Sequence, residues 1–324
     1  MAEGNLAFLE NKCPFANCLV TDDSYYFSDI SQFDAILFLG RDISNIKMPS
    51  VRSPKQVYVF AAQESSANYP LCDEYLDGFF NLTWTYRIDS DLYLGYFTIL
   101  DLAGNVVGPA IDMKWPDVLE PTCDELKIKL RSKSKLAAWF VSHCSTLSDR
   151  EGLVEEVQEE LRIYGLSVDI YGTCGTLTCP TKEPELCYEM IERDYYFYFA
   201  LENSFAEDYV TEKLLTALNN FAVPVVYGGA NYSRFLPPGS YLDGRELGAK
   251  ELVNQMIDAV NNMTKYYDFF RWTNHYVYEN RIQANEICKF CEIMNDERKI
   301  SDMSVRDDFR RWWNDENYYY NCLE

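Results

Sequence analysis

Phe197-Tyr198-Phe199-Ala200-Leu201-Glu202-Asn203-Ser204-Phe205-Ala206-Glu207-Asp208-Tyr209-Val210-Thr211-Glu212-Lys213-Leu214-Leu215, followed closely by Val223-Pro224-Val225-Val226-Tyr227-Gly228-Gly229, decides the fold of this chain. Residues 195–201 form a β-rich apolar run, and it ends in Asn203 and Ser204, which favour turns and helix caps. Val210, Leu214, Leu215 and Leu218 then recur at helical spacing, so a helix is predicted to open just after the strand. Residues 224–227 return to the sheet. The first turns of such a helix offer unpaired N–H groups and a partial positive charge. With Tyr209, Glu212 and Lys213 beside them, they suit a diphosphate attached to a sugar and a ribose. An ordinary solvated helix start beside a buried strand carries the same pattern.

Outward from this stretch, 33–39, 56–61 and 82–87 read as short strands rich in aromatic and branched residues, separated by long loops. From about residue 135 strands and helices alternate, beginning with a strand at 136–141. Ser148 and Glu151 have capping-box spacing, Leu153, Val154, Val157 and Leu161 form an apolar stripe, and Gly165 is placed to end that helix before a strand at 166–171. The alternation is that of a doubly wound α/β domain. Charged, Lys-rich sequence at 124–135 reads as a linker, giving domains 1–130 and 131–300, with a tail at 301–324 packing back on the first. Ligands of open parallel sheets sit beyond the carboxyl ends of the strands, so 142–150, 171–175 and 202–213 are expected to converge.

The 324 residues are 48% apolar, enough for two domains with real cores. A formal charge of −22 repels nucleic acid and anionic lipid, and it singles out Arg150 and Lys213 as local cations. Eleven cysteines with only two histidines, His143 and His275, favour disulfides over a metal centre. Cys13/Cys18 and Cys288/Cys291 are close pairs, and Cys288 is predicted to be oxidised to Cys291. Half a zinc ribbon is the alternative for that pair. The odd total leaves at least one thiol unpaired or paired outside the chain. Sequons at Asn81, Asn231 and Asn262 fit passage through a secretory compartment. No apolar run is long enough to span a bilayer, and no signal peptide opens the chain.

The stretch from Phe199 to Ser204, with Glu207 to Lys213 after it, resembles the signature of the α1,3-fucosyltransferases, glycosyltransferase family 10, which use GDP-fucose. Further matches fall in family order: Glu64-Ser65 before Asn68-Tyr69-Pro70, Asn81 through Asp91, Trp139-Phe140-Val141-Ser142, Val168-Asp169-Ile170-Tyr171-Gly172, and Cys288-Lys289-Phe290-Cys291. The resemblance covers nearly the whole chain. It implies the α/β fold called GT-B, two Rossmann-like domains facing across a cleft. It also implies an inverting transfer of L-fucose, no obligatory cofactor, with stimulation by Mn2+ left open, and residence in the Golgi lumen as a type II membrane protein whose anchor and stem this chain lacks.

Residue by residue, the resemblance makes Glu64, in Gln63-Glu64-Ser65-Ser66, the general base, and gives Arg150 and Lys213 the diphosphate. Glu212 would accept hydrogen bonds from the ribose, Asn203, Ser204 and Tyr209 would contact phosphate or fucose, and Tyr171 and Gly172 would line the guanosine. Asp89-Ser90-Asp91 resembles a metal-binding Asp-x-Asp, but Arg87 and Asp89 are expected to pair structurally. Ser65-Ser66-Ala67 stands where the family often has Pro after the base, and His143 where many relatives have Asn. Cys144, Cys174-Gly175, Cys179 and Cys187 resemble the invertebrate and plant enzymes that fucosylate the innermost N-acetylglucosamine of N-glycans. A Lewis-type enzyme acting on outer N-acetyllactosamine and a catalytically silent glycan-binding relative are the alternatives. The partners implied are GDP-fucose and a glycan or glycoprotein acceptor.

Overall fold

Val57-Tyr58-Val59-Phe60-Ala61 alternates rings with smaller apolar side chains, and all five are at most 5% exposed, so this strand is covered on both faces. The computed structural model describes residues 4–179, 184–280 and 284–323. The chain divides into two compact units, one made of Met1–Gly95 with Arg281–Glu324 and the other of Tyr96–Asn280. The sequence places the divide at 130/131 instead. The difference lies in the Lys-rich stretch, which is no linker: Asp124–Leu130 is a helix whose Leu126 and Leu130, one turn apart, are buried in the second unit's core.

In the first unit β1 (Ala35–Leu39), β2 (Val57–Ala62), β3 (Leu82–Thr85) and β4 (Leu92–Tyr93) lie parallel in the order β1-β2-β3-β4. The strand order follows the chain without reversal. On one face Phe60 meets Phe309 and Trp313 of the helix Phe309–Asn314, with ring centroids 4.8 and 4.7 Å away. On the other, Val57, Val59 and Ala61 pack with Phe8 of the helix Leu6–Glu10 and with Ile287 and Cys291 of the helix Ala284–Met294.

Three disulfides join the two segments of this unit: Cys13–Cys288, Cys18–Cys291 and Cys72–Cys322. Cys288 and Cys291 are therefore not bonded to each other. They lie one turn apart on a helix, where side chains at i and i+3 point side by side toward a neighbour, and the neighbour carries Cys13 and Cys18. Closing the 275-residue span of Cys13–Cys288 removes on the order of 5 kcal/mol of unfolded-chain entropy in the loop model. The Cys18–Cys291 bond, nested just inside it, removes far less. Cys144–Cys174 and Cys179–Cys187 lie in the second unit, and Cys123 is the odd thiol, exposed.

The second unit has an antiparallel sheet of β5 (Phe97–Asp101), β6 (Val106–Gly108) and β12 (Tyr276–Asn280), ordered β12-β5-β6. Its main sheet is parallel: β7 (Lys135–Phe140), β8 (Val168–Tyr171), β9 (Tyr195–Leu201), β10 (Val223–Tyr227) and β11 (Leu242–Asp243), ordered β11-β10-β9-β7-β8. Phe197, Phe199 and Leu201 face the helices Arg150–Leu161 and Gly244–Asn261, while Tyr198 and Ala200 face the helices Pro184–Asp194 and Glu212–Asn219. Both units are thus α/β with a parallel sheet, the class expected.

Just before β7, Lys133 is 3% exposed and donates to the carbonyls of Ile191 and Glu192 at the carboxyl end of the helix Pro184–Asp194. Burial pulls its pKa down to about 7, mainly by penalising the ammonium. The folded state then binds fewer protons than the unfolded chain between pH 7 and 10.5, so this residue's contribution to stability rises with pH across that window. Lys133→Met should abolish the rise: relative to wild type, the variant gains about 2–4 kcal/mol on going from pH 10 to pH 6, read from urea midpoints. A wild-type/variant difference that does not change with pH would refute it. Peptide mapping of the non-reduced protein should also recover Cys13–Cys288 and Cys18–Cys291 fragments, and a Cys288–Cys291 peptide would contradict the fold described here.

Candidate nucleotide-sugar site

In chain order the main sheet of the second unit reads 2-1-3-4-5, and its direction of growth reverses between β7 and β9. Successive crossovers leave this point in opposite directions and open a crevice at the carboxyl ends of the two strands. Residues 141–150 follow β7 there, and residues 202–211 follow β9. Ser148 fastens one to the other, its Oγ donating to the Glu202 carbonyl at 2.7 Å and its N–H to the Asn203 carbonyl at 3.2 Å. The expected capping box is absent because Ser148 is used in this way. Asp149, with φ +50°, occupies the N-cap position, and the Glu151 carboxylate accepts instead from Thr146, through its N–H and Oγ1.

Arg150 opens the helix Arg150–Leu161 and is only 3% exposed. Its Nη1 donates to the Leu201 carbonyl at 2.7 Å, its Nη2 reaches the His143 carbonyl at 3.4 Å, and its guanidinium lies over the Trp139 ring. The buried Nε has no hydrogen-bond partner among the described residues. Burial is the main influence on the guanidinium and lowers its pKa, against the opposing pull of Glu202, yet an arginine so placed remains a cation.

The loop after β9 is closed on itself by one carboxylate. Glu202, 1% exposed, accepts from the Thr211 N–H through Oε1 and from Thr211 Oγ1 and Lys213 Nζ through Oε2, at 2.8, 3.0 and 3.0 Å. The helix consequently begins at Glu212, with Thr211 as N-cap, and residues 203–210 are an irregular loop where the sequence predicted helix. Burial disfavours the Lys213 ammonium, but Glu202 and Glu212 overcome this and raise its pKa above the ordinary value. Ser204 is fully buried and donates to Asn203 Oδ1, and Asp208 pairs with Arg234 at 2.7 Å. A Cβ on Gly229 would lie 2.5 Å from the Ala206 nitrogen, so only glycine admits this loop beside the end of β10.

The structure brings Arg150, Asn203, Ser204 and Lys213 together at the switch point. Glu212 stands at the rim, its side chain 63% exposed, whereas Tyr209 is 2% exposed with its ring edge-on to Tyr96. Tyr171 does not join them: its ring packs into the core, and its hydroxyl meets that of Tyr195, which begins β9, at 2.8 Å. Its neighbour Gly172 keeps its backbone at the edge, with φ +104° and room for no Cβ, which would sit 2.4 Å from the Val141 carbonyl. Glu202, Ser148 and Thr211 were missed as site residues by sequence reasoning. A carboxylate directly after seven strand residues was the available signal, since it had to be buried and therefore paired.

Glu64 lies in the first unit, two residues beyond β2. Its Oε1 accepts from the Ser65 N–H and from Asn68 Nδ2, at 2.9 and 3.0 Å. Asp89 pairs bidentately with Arg87 as expected, and Asp91 accepts from the Thr83 N–H and hydroxyl. Replacing Glu202 with Ala should cost about 3 kcal/mol in chemical denaturation, because Lys213 loses its buried partner. The Glu202→Ala/Lys213→Met double variant should regain most of that loss, and wild-type stability in Glu202→Ala would show that the carboxylate does not hold the loop.

Two family models match. "Glycosyltransferase family 10 (fucosyltransferase) C-term" covers residues 130–312, and "Fucosyltransferase, N-terminal" covers 2–97. The chain is 40% identical over 311 residues to Alpha-(1,3)-fucosyltransferase C of Drosophila melanogaster, covering 94% of this chain and 71% of that protein. It is 32% identical over 268 residues to Alpha-(1,3)-fucosyltransferase fut-1 of Caenorhabditis elegans, covering 82% of this chain and 55% of the relative. A crystal structure of an α1,3-fucosyltransferase with GDP-fucose is similar in fold, with a TM-score of 0.50 at 15% identity over 82% of this chain and 78% of that one. The chain belongs to glycosyltransferase family 10, the fucosyltransferases.

Proposed function

We propose that this chain transfers L-fucose from GDP-fucose to the 3-hydroxyl of an N-acetylglucosamine, with the innermost residue of N-glycans as the favoured acceptor. The observation that carries the donor side is Arg150, a buried cation with an unpartnered Nε at the switch point of a doubly wound sheet in a protein of net charge −22. A nucleoside diphosphate supplies the anion such a group calls for. Lys213 adds charge from within its pair with Glu202, Asn203 and Ser204 offer polar contacts, and Glu212 at the rim receives the ribose hydroxyls. Tyr209 acts from beneath the loop, and Gly172 approaches guanosine through its backbone, with Tyr171 supporting it from the core.

The acceptor oxygen attacks the anomeric carbon as the bond from that carbon to the β-phosphate oxygen breaks, which inverts the centre and releases GDP. Glu64 takes the acceptor's proton. The charge that develops on the leaving diphosphate is met by Arg150. The favoured acceptor rests on the cysteine pattern, Cys144–Cys174 and Cys179–Cys187, that borders the site. Five disulfides support an oxidising compartment, for which we propose the Golgi lumen. Asn231 and Asn262 are exposed and open to glycosylation there, whereas Asn81 is half-buried with its Oδ1 on the Tyr58 N–H.

Glu64→Gln should retain GDP affinity and lose most turnover, and Arg150→Ala should weaken GDP by about 2–4 kcal/mol in calorimetric titrations. Near wild-type kcat in the first variant, or unchanged affinity in the second, would remove that residue from its role. Incubation with GDP-fucose and a panel of N-glycan and lactosamine acceptors, with the new linkage located, decides between the core and Lewis-type substrates. GDP-fucose binding without any transfer would identify a silent glycan-binding relative.

A further inference from the structure

The chain from 63 to 73, which carries Glu64, is held at three residues, Tyr69, Leu71 and Cys72, by residues that lie more than two hundred positions away. Trp313 Nε1 donates to the Tyr69 carbonyl at 2.9 Å. Asn314 grips Leu71 from both sides, accepting from its N–H at 3.2 Å and donating to its carbonyl at 2.8 Å. Arg310 Nη1 donates to the Cys72 carbonyl at 3.0 Å, and Cys72 is bonded to Cys322. Asn314 is fully buried, and its Nδ2 also donates to the Arg310 carbonyl, so its amide is fixed before it meets the loop.

Covering the sheet does not require these polar contacts, because the Phe309 and Trp313 rings against Phe60 already do so. A buried amide that satisfies both the N–H and the carbonyl of one distant residue fixes that residue's place as a neighbouring strand would. Leu71 is seven residues from Glu64, and between them the Ser66 N–H donates to the hydroxyl of Tyr86, whose ring lies 5.8 Å from that of Trp313. We propose that the carboxy-terminal tail, residues 309–322, sets the position of the Glu64 loop, with Asn314 as the positioning residue and Trp313 as its second strut. This rests on the reading of Glu64 as the base.

The test uses the full chain with GDP-fucose and an accepted glycan. Asn314→Ala should lower kcat by about 10- to 100-fold, the cost of a base displaced by an ångström or less, while the KM for GDP-fucose and the Kd for GDP stay within twofold of wild type. Trp313→Phe keeps a ring in the aromatic cluster but deletes the strut to Tyr69, and it should lower kcat by about three- to tenfold with the same unchanged donor binding. If Asn314→Ala does not fold, Trp313→Phe carries the test. In the Glu64→Gln background neither change should slow the reaction further, because both act through that carboxylate. Wild-type kcat in both tail variants, or losses that multiply with that of Glu64→Gln, would overturn the positioning role. Wild-type kcat in Glu64→Gln alone would overturn the base assignment, whatever the tail variants do.

Discussion

A parallel sheet has to be covered on both faces, and the first unit's amino-terminal segment supplies only the short helix Leu6–Glu10 to cover its own. Its strands are joined by irregular chain with short 3-10 turns, so the apolar faces of β2 wait for helices from elsewhere. Residues after 280 supply one helix to each face, with Ile287 and Cys291 on one and Phe309 and Trp313 on the other. Bringing such distant segments together costs chain entropy, and crosslinks on both sides of the sheet offset part of it. The disulfides that join its segments and the aromatic tail are consequences of that one requirement.

The second unit solves a different problem within itself. Glu202 carries its charge into a site with almost no solvent, and Lys213 neutralises it there. The pair is a local staple more than an electrostatic lure. It leaves Arg150, bonded among the described residues to neutral carbonyl groups, as a cation with attraction to spare. In a chain with 51 acidic residues and 29 basic ones, such an arrangement keeps one positive charge from being consumed by the surrounding acids.

Much of the second unit could be read directly, because strands such as Tyr195–Leu201 are unbroken apolar runs and helices such as Arg150–Leu161 show a clean stripe. The convergence of 142–150 with 202–213 followed from strand polarity alone. What failed were inferences from local pattern where a tertiary partner decides. Ser148 and Glu151 had the spacing of a capping box but bond to β9's loop and to Thr146. Asn203 and Ser204 looked like a helix start, yet Glu202 draws the chain to Thr211 first. The Lys-rich stretch at 124–135 looked solvated because its charges outnumber the two leucines that decide its burial. Cys288 and Cys291 looked local because nothing in the sequence announces which distant segment faces their helix. The split of the first unit was invisible for the same reason.

A split unit also imposes an order on the making of the protein. A ribosome releases the chain from its amino end, so β1 to β4 emerge with one face lacking the helix Phe309–Asn314 and the other lacking Ala284–Met294. The second unit, continuous in sequence, has all its parts as soon as residue 280 is free. Meanwhile Cys13 and Cys18 are exposed to each other before either native partner exists. Completion of the first unit therefore waits on residues after 280, and on Cys13 and Cys18 pairing with Cys288 and Cys291 and not with each other. A chain that stopped at residue 280 would have its second unit whole and the loop at 63–73 without the residues from 309 onward that hold it.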